Sequence, residues 1–469
     1  MAARRILTLA IFAALISRVG NEANASPRTD PTSGRAVFTG ATAEHASSVT
    51  LSPAAMGLAV SNELYFALTS TLTQTSIQSA GANISDTTTS PGGVIAYLWR
   101  TSERLRIGFE ARLPPPEELL EGYDELRYHT LGIGERRYTA TVGVGVRITG
   151  RIYFGASLTH ENTFLKLRYA RDSALANGHG ANGVDSDCGG APCGIGNPDA
   201  TELWSVDVRS PYIAANNFKV NIGFLVRIAS DVWIGLAYHT PPGGDIQTTL
   251  DGSLSITRAP RDGGGVIGGA ANVSISYPAS IDGEVRARLP ADLVARIGGR
   301  WEDLSRFQAY DVRGTGSQLA RNGLPEWTER ARGLHDSFAM WGGVEQIDTG
   351  NIARFGGRLG FETSAHALDR TSPMQVSPFS MTLDAGMQLR AQKGAAWVLQ
   401  LSYGLAYFPT ATVRDSAYDP QHRIDCIDSG FDYSTAACAA TRNGYALPSA
   451  NGEYGKLEHA LRLGFRYDH

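Results

Sequence analysis

His160-Glu161 opens like the His-Glu-x-x-His of zinc hydrolases, where two histidines one helical turn apart share a metal and the glutamate acts as base. Phe164 stands where the second histidine belongs, so the metal pair is not made. Asp185-Ser186-Asp187 has the carboxylate spacing of the first ligands of a calcium loop, but no Gly and Glu follow at the required distance, and a solvated loop is the simpler reading. The glycines at 263–269 are not followed by Lys-Ser/Thr, and no Gly-x-Ser-x-Gly occurs. The motifs imply no enzyme, no metal and no cofactor.

What recurs instead is arginine at every second position of apolar runs. Arg106 and Arg112 alternate with Leu105, Ile107, Phe109, Ala111 and Leu113, and Arg354 and Arg358 alternate with Phe355 and Leu359. Arg137, Arg147, Arg296 and Arg300 follow the same habit. Such residues could hold a carboxylate, or simply pair with Glu110, Glu362 and Glu458 on a shared polar face. Either reading needs strands, because only a period of two keeps them together.

That period is cleanest from Tyr138 to Leu158. Tyr138, Ala140, Val142, Val144, Val146 and Ile148 alternate with Thr, Gly and Arg, and Ile152, Phe154, Ala156 and Leu158 resume the pattern after Thr149-Gly150-Arg151. An odd connection keeps the apolar residues on one face, so a three-residue hairpin is expected, with Gly150 free to take positive φ. Phe218 to Ile228 and Val232 to Tyr238 repeat the design across Ala229-Ser230-Asp231.

The chain of 469 residues carries 53 glycines, and 42 Lys+Arg balance 46 Asp+Glu for a net charge of −4. The cations are dispersed along strands, so no nucleic-acid partner is implied. Arg4-Arg5, the apolar run Ile6 to Ile16 and Ala23-Asn24-Ala25 read as a signal peptide over 1–25, with a mature chain from about Ser26. No Cys near that site suggests a lipid anchor, and no later run is apolar enough for a membrane helix. Cys188 with Cys193 and Cys426 with Cys438 form two local pairs in polar loops. Export favours two loop disulfides over a four-Cys zinc site, which would require distant loops to meet.

Further alternating stretches start at Glu63, Val94, Leu105, Val285, Phe307, Phe338, Phe355, Met381, Trp397 and Leu457. With Leu289-Pro290 to Trp301 counted as the bent continuation of the Val285 strand, and Phe307 to Val312 as a short ninth, about fourteen strands result. Short turns near Thr101, Gly150, Ser230, Leu304, Thr349 and Gly394 alternate with long connections over 73–91, 114–135, 171–203, 251–275 and 413–455. That asymmetry belongs to outer-membrane barrels. Trp397 and Tyr407 lie ten residues apart, about 25 Å at roughly 3.3 Å per residue and a 40° tilt, the height of a lipid-facing band between aromatic girdles. Trp99, Tyr138, Trp301, Trp341 and Tyr467 also fall near strand ends. The expectation is an all-β, transmembrane antiparallel barrel over 61–469, its apolar face toward outer-membrane lipid, working as a monomer.

Residues 26–60 have no strand period. Within them Gly34-Arg35-Ala36, Gly40, Ala46-Ser47 and Ser52-Pro53-Ala54-Ala55-Met56 resemble the N-terminal signature of the FadL family, outer-membrane transporters of long-chain fatty acids and aromatic hydrocarbons. His45 and Ser52 depart from it, standing where the family usually has Asp and Asn, and the terminus Tyr467-Asp468-His469 lacks the usual final aromatic residue. The resemblance implies a fourteen-stranded barrel plugged by an N-terminal hatch over 26–60, and uptake of a hydrophobic small-molecule ligand. It also implies sideways exit at a wall defect, for which Gly108, Pro114 and Pro290 are the candidates. The alternative from another class is a structural or adhesive surface barrel whose stapled loops are the working part.

Overall fold

The computed structural model describes residues 37–79, 82–113, 117–119, 124–172, 199, 201–245, 247–322, 324, 326–376, 379–418, 434–435 and 449–469. The signal-peptide region, Gly34, Arg35, Ala36, Pro114, Asp185, Asp187 and all four cysteines lie outside the described residues.

Fourteen of the described strands close a ring. In chain order they are β1 (Glu63–Ser79), β2 (Ala82–Arg100), β3 (Leu105–Leu113), β4 (Gly132–Arg147), β5 (Ile152–Asp172), β6 (Phe218–Ala229) and β7 (Val232–His239). The second half comprises β8 (Ser280–Leu289), β9 (Leu293–Glu302), β10 (Ser337–Gln346), β11 (Ala353–Glu362), β12 (Ser380–Arg390), β13 (Trp397–Val413) and β14 (Gly452–Asp468). Each pairs antiparallel with the next, and β14 returns to β1 with Glu63 opposite Asp468 and Ser79 opposite Gly452, so the ring has no free edge.

The alternation read in the sequence sets the two faces. Val142, Phe154, Leu158, Phe224, Leu401, Leu461 and Phe465 are exposed, whereas Thr141, Thr159, Asn221, Glu458 and Arg462 are buried. A soluble protein has the reverse pattern; a continuous apolar belt outside and a polar interior is the pattern of a barrel in lipid. Trp99, Trp397 and Tyr407 are exposed with the belt. Trp341 is not part of that girdle. It alternates with the exposed Met340 and Val344, and the Arg358 guanidinium lies 4.5 Å over its ring, inside the barrel.

The Thr149–Arg151 hairpin forms as expected, with Ile148 N–H donating to the Ile152 carbonyl at 2.9 Å. Gly150 does not take positive φ; the Thr149 hydroxyl closes the turn by accepting from the N–H groups of Arg151 and Ile152.

Two assignments need correction, and their effects on the strand count cancel. Val285 to Trp301 is not one bent strand but parts of β8 and β9, with Leu289 opposite Leu293 and the chain reversing through Pro290-Ala291-Asp292. The proline stands in a short turn, where no ladder bond is asked of it, so Pro290 is not a defect in the wall. Phe307 to Val312 is not a wall strand, and Leu304 marks no short turn. Ala309–Thr315 instead pairs with Val266–Ile275 and Trp327–Ala331. These belong to a side sheet branching from the upper half of β5 through Thr201–Arg209 and Thr248–Thr257. Two further connections expected to be long loops are ladders: β1 and β2 pair along their whole length up to Ser79–Ala82, and 251–275 holds a hairpin.

Ala291 and Asp292 sit at φ 63° and 56°, a left-handed pair with Cβ atoms. That conformation costs roughly 1 kcal/mol per residue and is best tolerated by Gly or Asn. Ala291→Asn is therefore expected to stabilise the barrel by about 0.5 to 1 kcal/mol, read as a higher urea midpoint in detergent micelles.

Candidate functional site

Val37 to Ala59 lies inside the ring and touches inward-facing positions on most of its strands. It is built from tight turns, with a helical turn at Ser48–Leu51 and a 3-10 helix at Pro53–Leu58. Beneath Pro53 and Ala54, Gly145, Gly155 and Gly223 are aligned across β4, β5 and β6. A Cβ at Gly155 would sit 2.2 Å from the Pro53 carbonyl carbon, so the backbones meet only because side chains are absent. Gly108 receives Met56 and Val49 in the same way. Its ladders to β2 and β4 are unbroken, with Leu98 and Gly143 as partners. Gly108 is thus a seat for the N-terminal segment, not a gap in the wall.

Carboxylates from the wall hold that segment by its backbone. Ala46 N–H donates to Glu63 at 2.8 Å, Thr42 N–H to Glu284 at 3.1 Å and Phe38 N–H to Glu345 at 3.1 Å. Gly40 lies against the Glu284 carboxylate, where a Cβ would have no room. From the other charge, Arg106 donates to the Ala59 carbonyl at 2.8 and 2.6 Å, and Arg286 to the Thr42 carbonyl at 2.8 Å. Sequence reasoning missed Glu63, Glu284, Glu345 and Arg286. Their parity within β1, β8 and β10 was the available signal, since it places each on the polar face.

Of the arginines singled out in the sequence, Arg106, Arg112, Arg354 and Arg358 are each engaged here. Arg106 pins Ala59. Arg112 pairs with Glu110 at 2.7 Å, which also accepts from the Thr50 hydroxyl at 2.7 Å. Arg354 bonds Glu345 at 3.0 Å and lies 4.5 Å over the Phe38 ring. Arg358 covers Trp341 and stands opposite Asp384 in the ladder. Of the signature residues, Ser52, Pro53, Ala54 and Met56 are buried with Gly40 in this packing. His45 is buried too, edge-on to Tyr65 at 4.3 Å, and its Nδ1 accepts from Ser47 N–H at 3.1 Å. Burial, reinforced by the Arg462 guanidinium, lowers its pKa well below the usual imidazole value and keeps it neutral.

Beyond the segment, toward the rim of long connections, the interior turns apolar. Leu165, Leu167, Tyr169, Trp204, Val206 and Tyr277 belong to one buried cluster and Ile77, Leu126, Val376, Tyr418 and Tyr454 to another. Arg330 joins them. Only 8% exposed, its guanidinium lies 4.2 Å over the Tyr169 ring and donates to the carbonyls of Tyr128 and His129. Among the described residues no carboxylate pairs with it, and burial lowers its pKa. A buried cation held by neutral dipoles and aromatic faces suits an anionic guest.

At the opposite rim, Asp348 in the turn after β10 accepts from Arg390 at 2.8 and 2.9 Å and from Arg466 at 2.8 Å. Partial burial works to raise its pKa, but these hydrogen bonds outweigh it and hold the carboxyl well below the usual aspartate range. A lowered folded pKa gives stability that is complete above the unfolded value, about 3.9, and lost as pH falls below it. Asp348→Asn is expected to cost about 2 kcal/mol at pH 7. The gap to wild type should narrow below pH 4, as urea titrations at both pH values would show.

No family sequence model matches the chain, and a search of curated proteins finds no sequence match. Solved structures match it over nearly its whole length. A Pseudomonas aeruginosa FadL homologue is 11% identical with a TM-score of 0.71, covering 96% of this chain and 99% of its own. The Pseudomonas putida toluene transporter TodX is 13% identical with a TM-score of 0.60, covering 96% and 98%. The Ralstonia pickettii toluene transporter TbuX is 14% identical with a TM-score of 0.57, covering 95% and 98%. At these identities the likeness is one of architecture: this chain has the fold of the FadL homologue and the toluene transporters.

Proposed function

We propose that this chain takes up hydrophobic small molecules across the bacterial outer membrane, with the N-terminal segment as the plug that makes the barrel selective. The observation that carries the reading is the seating of Pro53 and Ala54 on the glycine row of β4 to β6, with buried apolar clusters built from the side sheet and the long connections beyond it. A fourteen-stranded ring left open would pass water and ions and offer an apolar solute nothing. An apolar chamber above a plug captures the solute first, and displacement of the plug then lets it descend. The fold shared with the FadL homologue and the toluene transporters supports this reading.

Capture of a fatty acid needs a partner for its carboxylate, and Arg330 takes that role; an aromatic hydrocarbon would use the same apolar walls without it. Sideways release into the bilayer belongs at the upper end of β3. The ladder to β2 ends at Leu113, and Ala82 to Gly92 of β2 pairs only with β1 among the described residues. Of the sequence candidates for that door, Pro114 adjoins this end. The chain acts as an exported monomer cleaved near Ser26, with Cys188–Cys193 and Cys426–Cys438 joined in outer loops.

Cells carrying the protein are expected to accumulate labelled long-chain fatty acid or toluene several-fold faster than cells without it. Equal rates for both compounds would favour the structural or adhesive barrel. Arg330→Leu should cut fatty-acid uptake about tenfold, the loss of one charge-assisted hydrogen bond, and leave toluene uptake unchanged. Gly155→Val should push the Pro53 turn off its shelf, giving a steady ionic conductance in planar bilayers where the wild type stays closed.

A further inference from the structure

The lumen mouth at the rim of short turns is unevenly charged. Arg100 of β2 stands directly opposite Arg106 of β3. Next to them the Arg147 N–H of β4 donates to the Arg104 carbonyl at 2.8 Å, and beyond the hairpin the Arg227 N–H of β6 donates to the Arg151 carbonyl at 2.7 Å. Three arginine pairs thus follow one another around the rim, although like charges set opposite each other destabilise a sheet. Arg100, Arg106, Arg147 and Arg227 share the parity of the buried Leu98, Gly108, Gly145 and Leu225, so they belong to the lumen side. Arg104 and Arg151 stand in the turns.

Carboxylates offset this charge only in part. Among the described residues the side chains of Arg104, Arg147 and Arg151 make no hydrogen bond or ion pair. Those of Arg100, Arg106 and Arg227 donate to backbone carbonyls, among them Val60, Ala59 and Ser230. Glu103 and Asp231 are the carboxylates of these turns, and neither forms an ion pair among the described residues; Glu44 of the plug bears on Arg106. Six guanidiniums therefore face three carboxylates. Elsewhere on the mouth Arg288 pairs with Asp292 at 3.3 Å, and Arg390 and Arg466 each meet Asp348 at 2.8 Å.

The glycine row that seats Pro53 and Ala54 leads down onto this collar. Gly145 precedes Arg147 by two residues, Gly155 follows Arg151 by four and Gly223 precedes Arg227 by four, which is roughly 5 to 10 Å along the barrel axis. A gap opened between the plug and that row ends at the arginines. Resting on the plug reading of the proposed function, we propose that the collar is a charge filter: the water path past a displaced plug admits small anions and turns back cations. Unpaired guanidiniums along one edge of the path raise the local potential, which concentrates anions and expels cations. Arg100 and Arg106 also hold plug carbonyls, so Arg104, Arg147 and Arg151 are the residues to change.

The Gly155→Val protein in planar bilayers supplies the open path, and its reversal potential in a potassium chloride gradient gives the permeability ratio. Chloride is expected to pass about three times as readily as potassium at about 0.1 M salt, and more so at about 0.01 M, where screening is weaker. Adding Arg104→Gln/Arg147→Gln/Arg151→Gln should bring the ratio to about one, while Arg104→Lys/Arg147→Lys/Arg151→Lys should preserve it, because charge is what counts. A second reading needs no open pore. Gly150→Cys in the full chain puts a thiol in the turn beside the Arg147 guanidinium, where a Cβ would lie 3.6 Å from Nη2. Relative to a free thiol, an anionic methanethiosulfonate should react there at least fivefold faster than a cationic one, and the glutamine changes should abolish the difference. An unselective or cation-selective pore, an unchanged ratio in the glutamine variant, or equal thiol reaction would overturn the filter. A Gly155→Val protein that stays closed would count against the plug reading instead, and the thiol reaction then decides the collar.

Discussion

A ring of fourteen strands is too wide for its own side chains to fill, and the rest of the structure follows from how that space is occupied. Glu63, Glu284 and Glu345 project inward and accept from the N–H groups of Ala46, Thr42 and Phe38, spaced four residues apart along a chain with almost no regular structure of its own. Backbone amides removed from water need partners, and a carboxylate acceptor gives roughly twice the strength of a neutral one. The carboxylates are themselves balanced: Glu345 by Arg296 at 2.6 Å and Arg354 at 3.0 Å, Glu284 by Arg296 at 3.4 Å. The wall's charges thus balance one another, and the segment's N–H groups take further acceptor positions on the same carboxylates.

Shape and hydrogen bonding together fix the segment around the circumference. On the side of β3 to β6 the segment meets glycines at van der Waals distance, a contact set by shape. On the side of β8 to β12 hydrogen bonds to single backbone atoms are added to the same kind of contact, Val37 and Phe38 lying against Gly356 and Gly386, and beside Val37, Phe38 and Thr39 a small space of about 20 Å³ remains, bordered by Arg296, Glu345 and Arg358. That volume is close to what one water needs.

Much of this was legible in the sequence because a barrel strand writes its two environments at alternate positions. The outward Val, Leu and Phe and the inward Thr, Arg and Glu gave the wall, its closure and its two unlike rims. Pro290 misled because proline inside an apolar run reads equally as a bulge or as a turn, and only the left-handed pair Ala291-Asp292 decides it. Ala309–Thr315 misled because the buried side sheet alternates with the same period as the wall. Gly108 carries no side chain to announce a role, and its meaning depends on Met56, which approaches from far along the chain. Arg330 could not be found at all by parity, since its importance comes from Tyr128 and His129 in the connection before β4 and Tyr169 of β5 converging on it.

The central claim is that one set of alternate positions faces hydrocarbon while the other faces a lumen filled by the N-terminal segment. A nitroxide scan along β14 from Leu457 to Tyr467 in lipid bilayers measures both at once. The account predicts that odd-numbered positions such as Leu461, Leu463 and Phe465 are accessible to oxygen but not to water-soluble nickel. Even-numbered positions such as Ala460 and Gly464 should be protected from both. Nickel access at the even positions would mean an open pore, and the absence of a two-residue period would contradict the barrel itself.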